Sequence, residues 1–233
     1  MYVDFDGTIA AGEPTDALLD RFAHPSWREI EEEWQQGRLS SRICMSQQVD
    51  LMRAEPAEID EFLRNIEIDP DFPKFVQLCR AYGGRIVVVS DGLDRVVRTV
   101  MRASGWDLPF SANRLKWVGG DRWKLEFPHA RKDCRSAMGN CKCSHGRRFP
   151  SSPAILVGDG RSDFCLAEHV HLVLAKGKLA GHCKENGLPY VQIHNFANAT
   201  QVLQAWLDAL GTTPAALACA APSIIAGFEE GSP

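Results

Sequence analysis

The chain begins MYVDFDGTIA, so Asp4 and Asp6 stand one residue apart and are followed at once by Gly7 and Thr8. Carboxylates this close repel one another unless positive charge lies beside them, whereas a strand that served only a core would end in a neutral turn. Two more stretches carry the same signal: RIVVV runs into Ser90, Asp91 and Gly92, and AILVG runs into Asp159, with Asp163 shortly after. A hard divalent cation such as Mg²⁺, held by one or two carboxylates, phosphate oxygens and water, relieves that repulsion. Asp4 and Asp159 can supply the carboxylates. A carboxylate beside Mg²⁺ can attack phosphorus to give an acyl phosphate, which splits one hard step into two. Asp6 is spaced to protonate the leaving oxygen and then activate water. Ser90 and the backbone N–H after it suit a phosphoryl oxygen, and the charge on a transferring phosphoryl group calls for one further cation, a lysine.

For these residues to meet, three strand ends must lie side by side. MYV, RIVVVS, AILVG, HLVLA and YVQI read as short strands. Helical patterns separate them: DFPKFVQLCRAYGG and LDRVVRTVMRASG, each stopped by glycine, then LAGHCKENG and FANATQVLQAWLDAL. Continuous apolar strands alternating with helices predict a parallel sheet covered on both faces, and such sheets bind ligands at the carboxyl ends of their strands. RLKWVGGDRWKLEF alternates around Gly119 and Gly120 and predicts a small β-hairpin. Residues 13–69 carry only helical patterns, among them TDALLDRFA with Thr15 or Asp16 as cap, and PAEIDEFLRNI with Pro56 in its first turn. The expected organisation is α/β: a core of residues 1–12 and 70–210, an inserted helical cap of residues 13–69, and a loose tail at 211–233.

The 233 residues are enough for one large domain with an insertion. A formal charge of −4 and a pI near 6.0 supply no basic field for nucleic acid or an anionic membrane. No apolar run reaches the roughly 18 residues of a spanning helix, and Pro214 and Pro222 break the most apolar stretch, PAALACAAPSIIAGF. No presequence is expected ahead of Asp4, and the expected location is cytoplasmic. Eight cysteines in a chain of this length do not read as a disulfide scaffold. Cys44, Cys79, Cys165, Cys183 and Cys219 read as small core or surface residues. Cys134, Cys141 and Cys143, with His145, match none of the common zinc spacings, and a packed or redox-sensitive thiol cluster is the plainer reading beside a zinc site.

DFDGTI, the strand end VVVSDG, a downstream lysine and VGDGRSDFCLA resemble, in chain order, the four motifs of the haloacid dehalogenase-like superfamily. The resemblance implies a Rossmann-like core, an aspartyl-phosphate intermediate and Mg²⁺. It matches Asp4 to the nucleophile, Asp6 to the acid/base and Asp159 to a metal ligand. The backbone carbonyl of Asp6 would be a further ligand, and Asp163 would support the ligands from behind. Dehalogenases of the superfamily lack the second aspartate, and Asp6 is present, so the resemblance implies phosphoryl transfer; the transport ATPases carry lysine and threonine where this chain has Phe5 and Asp6. The helical insertion resembles the C1-type cap of the phosphoserine phosphatase branch, where Glu13 matches a glutamate that contacts substrate. Gln48 falls where that branch keeps a carboxylate-binding arginine, and glutamine makes no charged bidentate contact. That departure counts against phosphoserine unless Arg42 or Arg53 compensates. FPHARKDCRSAMGNCKC resembles the segment before the third-motif lysine in the methionine-salvage phosphatases, which act on 2-hydroxy-3-keto-5-methylthiopentenyl-1-phosphate. It points to Lys142 as the phosphate-binding lysine, with Lys132 as rival and Asp91 beside Ser90 in the phosphate loop.

The expectation is therefore a Mg²⁺-dependent phosphomonoesterase acting on a small phosphorylated metabolite, with no nucleic-acid or membrane partner. The methionine-salvage enol phosphate stands first, and phosphoserine, phosphocholine, phosphoethanolamine and sugar phosphates are alternatives. A phosphomutase and a phosphometabolite-binding protein without catalysis are the other readings. Taken alone, Ser90 reads as a helix N-cap and Glu13 as an exposed carboxylate. Oligomeric state is not legible.

Overall fold

The structure is a computed structural model, and it describes residues 1–134, 137–146 and 153–210. The tail at 211–233 lies outside the described residues. By contact the chain divides into two compact units. The first comprises residues 1–9, 69–88 and 142 onward; the second comprises residues 10–68 and 89–141.

The first unit is built on β1 (Tyr2–Val3), β5 (Ile155–Gly158), β6 (Leu172–Ala175), β7 (Tyr190–Gln192) and the start of β2 (Val87–Leu93). These strands are parallel, with β1 between β2 and β5, and β6 between β5 and β7. The apolar residues of β1, β5 and β6 are buried; every side chain of β6 is inaccessible. That is why the strands read as unbroken apolar runs rather than alternating ones. Register fixes the business end of the sheet. Val3 pairs with Val157, and Asp4 then donates its N–H to the Val157 carbonyl at 2.8 Å, so Asp4 and Asp159 leave neighbouring strands at the same edge.

Helices α5 (Phe72–Ala81) and α10 (Phe196–Leu210) pack together. Phe72 and Phe75 meet Phe196 edge to face, with ring centroids 4.9 and 5.1 Å apart, and burying each such side chain is worth about 1.5–3 kcal/mol. Asp69 locks this corner by accepting from the N–H groups of Asp71 (2.9 Å) and Phe196 (3.0 Å). The short helices α7 (Cys143–Gly146) and α8 (Phe164–Ala167), with α9 (Gly177–Glu185), complete the unit.

The second unit contains α1 (Pro14–Phe22), α2 (Trp27–Gln35), α3 (Ser41–Asp50), α4 (Pro56–Leu63) and α6 (Asp94–Ala103), with the remainder of β2. The antiparallel hairpin of β3 (Phe110–Gly119) and β4 (Arg122–Glu126) belongs to it as well. Arg95 pairs with Asp60 at 2.7 Å, tying α6 to α4, and Trp123 Nε1 donates to the Ala54 carbonyl at 2.8 Å, tying the hairpin to the segment before α4. In the first unit the strand order is β2-β1-β5-β6-β7, an α/β architecture as the alternation of strands and helices predicts. Among the described residues no helix is long and apolar enough to cross a membrane.

Two cap assignments are corrected. Helix α1 begins at Pro14 after Glu13, not at Thr15 or Asp16, because proline's fixed φ and missing N–H suit the first turn. Ser90 is not the N-cap of α6, which starts at Asp94 after Leu93. Strand β2 runs on through Ser90 to Leu93, and Ser90 Oγ accepts from the Gly92 N–H at 2.8 Å.

Candidate active site

At the carboxyl edge of the first unit the chain makes a sharp turn through Phe5–Ile9. Asp6 is extended (φ −65°, ψ 134°) and Gly7 is left-handed (φ 66°, ψ −4°), a conformation that favours glycine. Asp4 stands at the start of this turn, buried, with its Oδ1 accepting from the Phe5 N–H at 2.7 Å. Lys142 brings its ammonium 2.8 Å from the same oxygen and 2.8 Å from Asp163 Oδ1. Asp163 Oδ2 accepts from the N–H groups of Asp159 (3.2 Å) and Gly160 (3.3 Å). The Thr8 hydroxyl donates to Asp159 Oδ1 at 3.3 Å. Gly158 is demanded by this packing, since a Cβ there would lie 2.6 Å from Asp163 Cγ.

Lys142 is wholly inaccessible, whereas Lys132 is exposed. Burial alone would favour a neutral Lys142, but Asp163 and Asp4 outweigh it and hold its pKa above the ordinary value. Burial, then the charge of Asp163, pushes the Asp4 carboxyl well above the usual carboxylate range, with Lys142 pulling the other way. Asp159 is raised for the same first two reasons. Three carboxyl groups thus crowd around the single ammonium of Lys142. Oxygen atoms of Asp4, Asp159 and Asp163 lie within 4.8 Å of one another, and among the described residues this is the group of three side chains able to hold a metal ion. Three hard oxygen donors, two of them reluctant to ionise without a cation, fit a hard divalent ion. The cysteines and His145 do not form such a group. Cys134 and Cys141 belong to the second unit, Cys143 and His145 to the first. Seven cysteines are described, all buried and none in a disulfide; Cys219 lies outside the described residues.

The remaining expected site residues fall in the second unit. Ser90 is fully buried at its start. The Asp91 carboxylate is already committed: it accepts from the Ser41 hydroxyl (2.7 Å), the Asn140 N–H (2.7 Å) and Asn113 Nδ2 (3.3 Å). Glu13 is exposed. Gln48 is buried and gives its amide to Glu31 Oε2 at 3.0 Å.

Two residues of the first unit escaped the sequence reading. Thr8 stands in the opening motif, yet its bond to Asp159 follows from strand order rather than spacing. Lys176, at the end of β6, donates from Nζ to the Gly7 carbonyl at 2.9 Å. The available signal was a lysine–glycine pair closing the buried strand HLVLA.

The family model described as haloacid dehalogenase-like hydrolase matches residues 2–168. A 2-hydroxy-3-keto-5-methylthiopentenyl-1-phosphate phosphatase from an Exiguobacterium species is 30% identical over 83% of this chain and 91% of its own. The protein of that description from Geobacillus kaustophilus is 26% identical over 88% and 94%. Among solved structures, a substrate-bound phosphoserine phosphatase superposes with a TM-score of 0.67 at 20% identity, covering 87% of this chain and 95% of its own. Phosphoserine phosphatase from T. onnurineus gives 0.67 at 16% identity, covering 87% and 92%. At these identities the structural likeness speaks to the fold, which is the one expected.

Proposed function

Because this chain is a member of the haloacid dehalogenase-like hydrolase family, we propose that it is a Mg²⁺-dependent phosphomonoesterase working through an aspartyl phosphate on Asp4. The observation that carries the reading is the buried Asp4, bracketed by Lys142, Asp159 and Asp163. Asp4 and Asp159, with the Asp6 carbonyl, would hold the metal, and Asp163 would steady Asp159 and Lys142 from behind. When bound, the ion neutralises charge on the phosphoryl oxygens.

The chain's own residues supply the rest. Phe5 N–H and Lys142 fix Asp4 Oδ1, which leaves Oδ2 to form the bond to phosphorus as the ester P–O bond breaks. Asp6 gives its proton to the leaving oxygen, then takes one from the water that attacks the acyl phosphate, so phosphate departs and both aspartates return to their starting states. The Lys142 ammonium offsets charge on the transferring group. Its complete burial beside Asp4, against the exposure of Lys132, supports Lys142 as the phosphate lysine. Ser90 and the N–H of Asp91 are proposed as phosphoryl donors.

For substrate we propose an enol phosphate of the kind named for the relatives. Helical residues 13–69, including Glu13 and Gln48, would act as the selecting cap. Gln48 is uncharged and its amide is engaged by Glu31, which supports a substrate without the carboxylate of phosphoserine. Seven described cysteines outside disulfides support a reducing, cytoplasmic setting.

The test is phosphate release from a panel of phosphorylated metabolites that includes the enol phosphate, phosphoserine, phosphocholine and sugar phosphates, with Mg²⁺ and with EDTA. Mg²⁺-dependent turnover is expected, fastest on the enol phosphate. Transfer to a second hydroxyl without net phosphate would mark a mutase, and tight binding without turnover would mark a binding protein.

A further inference from the structure

Lys176 touches the site in a way the proposed chemistry does not use. Strand β6 lies beside β5 with Ala175 opposite Gly158, so the residue after Ala175 emerges next to Asp159. Lys176 donates its own N–H to the Gly158 carbonyl at 2.9 Å, and Leu179 donates to the Asp159 carbonyl at 2.9 Å. Gly177, left-handed at φ +47°, lets the chain wrap closely; a Cβ there would sit 3.2 Å from the Asp159 carbonyl oxygen. From this anchorage the half-buried Lys176 side chain reaches across to the Gly7 carbonyl. Gly7 is the left-handed pivot between Asp6 and Thr8, and Thr8 returns a hydrogen bond to Asp159. Lys176, Gly7, Thr8 and Asp159 therefore close a ring between the two strand ends that bear the candidate metal carboxylates.

We propose that Lys176 is a positioning residue: its ammonium pins the Gly7 peptide, and that contact sets the aim of Asp6 and the spacing of Asp4 from Asp159. The proposal rests on the phosphatase reading for its kinetic arm only. The Lys176 ammonium has three N–H donors, and the Gly7 carbonyl at the pivot of the turn takes one of them. The charge of Lys176 and its grip on the turn act on the metal in opposite directions. As a charge it repels a cation at Asp159, so its loss would tighten binding; as a clamp it holds the ligands in register, so its loss would weaken binding.

The experiment is Mn²⁺ titration followed by electron paramagnetic resonance, for the natural chain and Lys176→Met, together with steady-state kinetics in Mg²⁺. Lys176→Met is expected to bind Mn²⁺ about tenfold more weakly, the scale of lost support behind metal ligands. It is also expected to lose about tenfold or more in kcat, with KM within about twofold, since small misplacements of reacting groups cost that much. A thermal midpoint well above the assay temperature separates this from simple unfolding. Should Lys176→Met be too unstable to titrate, Lys176→Gln, a donor too short to reach Gly7, carries the same expectations. Unchanged or tighter Mn²⁺ binding overturns the clamp. The Mn²⁺ arm needs no substrate, so a natural chain that binds Mn²⁺ yet hydrolyses no phosphate ester would defeat the phosphatase reading and leave the clamp judged by its own ratio.

Discussion

The ammonium of Lys142 lies 2.8 Å from Asp4 Oδ1, and neither side chain is more than 6% exposed. Burial and Asp163 already favour a proton on Asp4, and Lys142 is the charge that opposes them. Replacing it by alanine removes the ammonium that sits against Asp4 and that would offset charge on the transferring group. We expect Lys142→Ala to lower kcat by about 10²–10³-fold, the usual cost of one preorganised electrostatic partner. Breaking a buried pair from one side should also cost about 3–5 kcal/mol of stability. Paired kinetics and urea unfolding check both. Lys132→Ala, altering an exposed residue, should leave both within experimental scatter.

Asp6 is assigned the proton, so its importance should depend on the leaving group. Asp6→Asn is expected to lose activity steeply on alkyl phosphates, about 10²–10⁴-fold, the scale of general acid–base catalysis. On p-nitrophenyl phosphate, whose phenolate departs unaided, the first step should survive and the second should stall. A burst of p-nitrophenol of one equivalent per site, followed by slow turnover, is the expected trace. Equal losses on both ester types would remove Asp6 from the role.

Gly158 carries a sharper structural prediction. Its missing side chain is the space that Asp163 fills, so Gly158→Ala must push Asp163 away from Lys142 and from the Asp159 and Gly160 N–H groups. The expected cost is about 1–3 kcal/mol from overpacking, with about 10–100-fold weaker metal binding through the displaced support. Gly160→Ala, where a Cβ meets nothing within 4 Å, is the control that should keep metal affinity.

Much of this arrangement is legible in the linear chain, for physical reasons. Asp4 and Asp159 follow unbroken apolar runs, and a parallel sheet must bring such run ends to one edge. The hairpin around Gly119 and Gly120 is equally local, because its turn and its alternation sit in one stretch. What escapes depends on pairings far apart in sequence. Lys176 acts on Gly7 only because β6 adjoins β5 and β5 adjoins β1, an order no spacing encodes. The Asp91 carboxylate is held by Ser41, Asn113 and Asn140, partners that no motif connects. Cap positions at Glu13 and Leu93 differ from those read for α1 and α6 because proline and strand pairing outweigh side-chain capping preference there.

Alkaline pH should destabilise the protein before it strips its backbone of structure. Burial, then Glu31, pushes the Cys44 thiol from 9.0 up to about 12, and burial, then Asp163, pushes Cys183 from 9.0 up to about 11. Lys142 is also held above its ordinary 10.5 by Asp163 and Asp4 in spite of burial. In each case the folded chain keeps a proton that the unfolded chain releases, so stability falls as pH rises through the unfolded value. The thermal midpoint should hold level to about pH 8 and decline from about pH 9 upward. Cys44 and Cys183 should resist iodoacetamide at about pH 8.5 until the chain is unfolded. A midpoint flat through about pH 11 would contradict these environments.

The central claim is that Asp4 takes the phosphoryl group. Acid-quenched Asp6→Asn, caught while turning over p-nitrophenyl phosphate in Mg²⁺, can be digested and its peptides read by mass spectrometry. The account predicts a phosphoryl adduct on the amino-terminal peptide at Asp4, released by hydroxylamine as an acyl phosphate must be, and absent when Asp4 is also changed to asparagine. Turnover with no adduct at Asp4, or with the adduct on another residue, would contradict it.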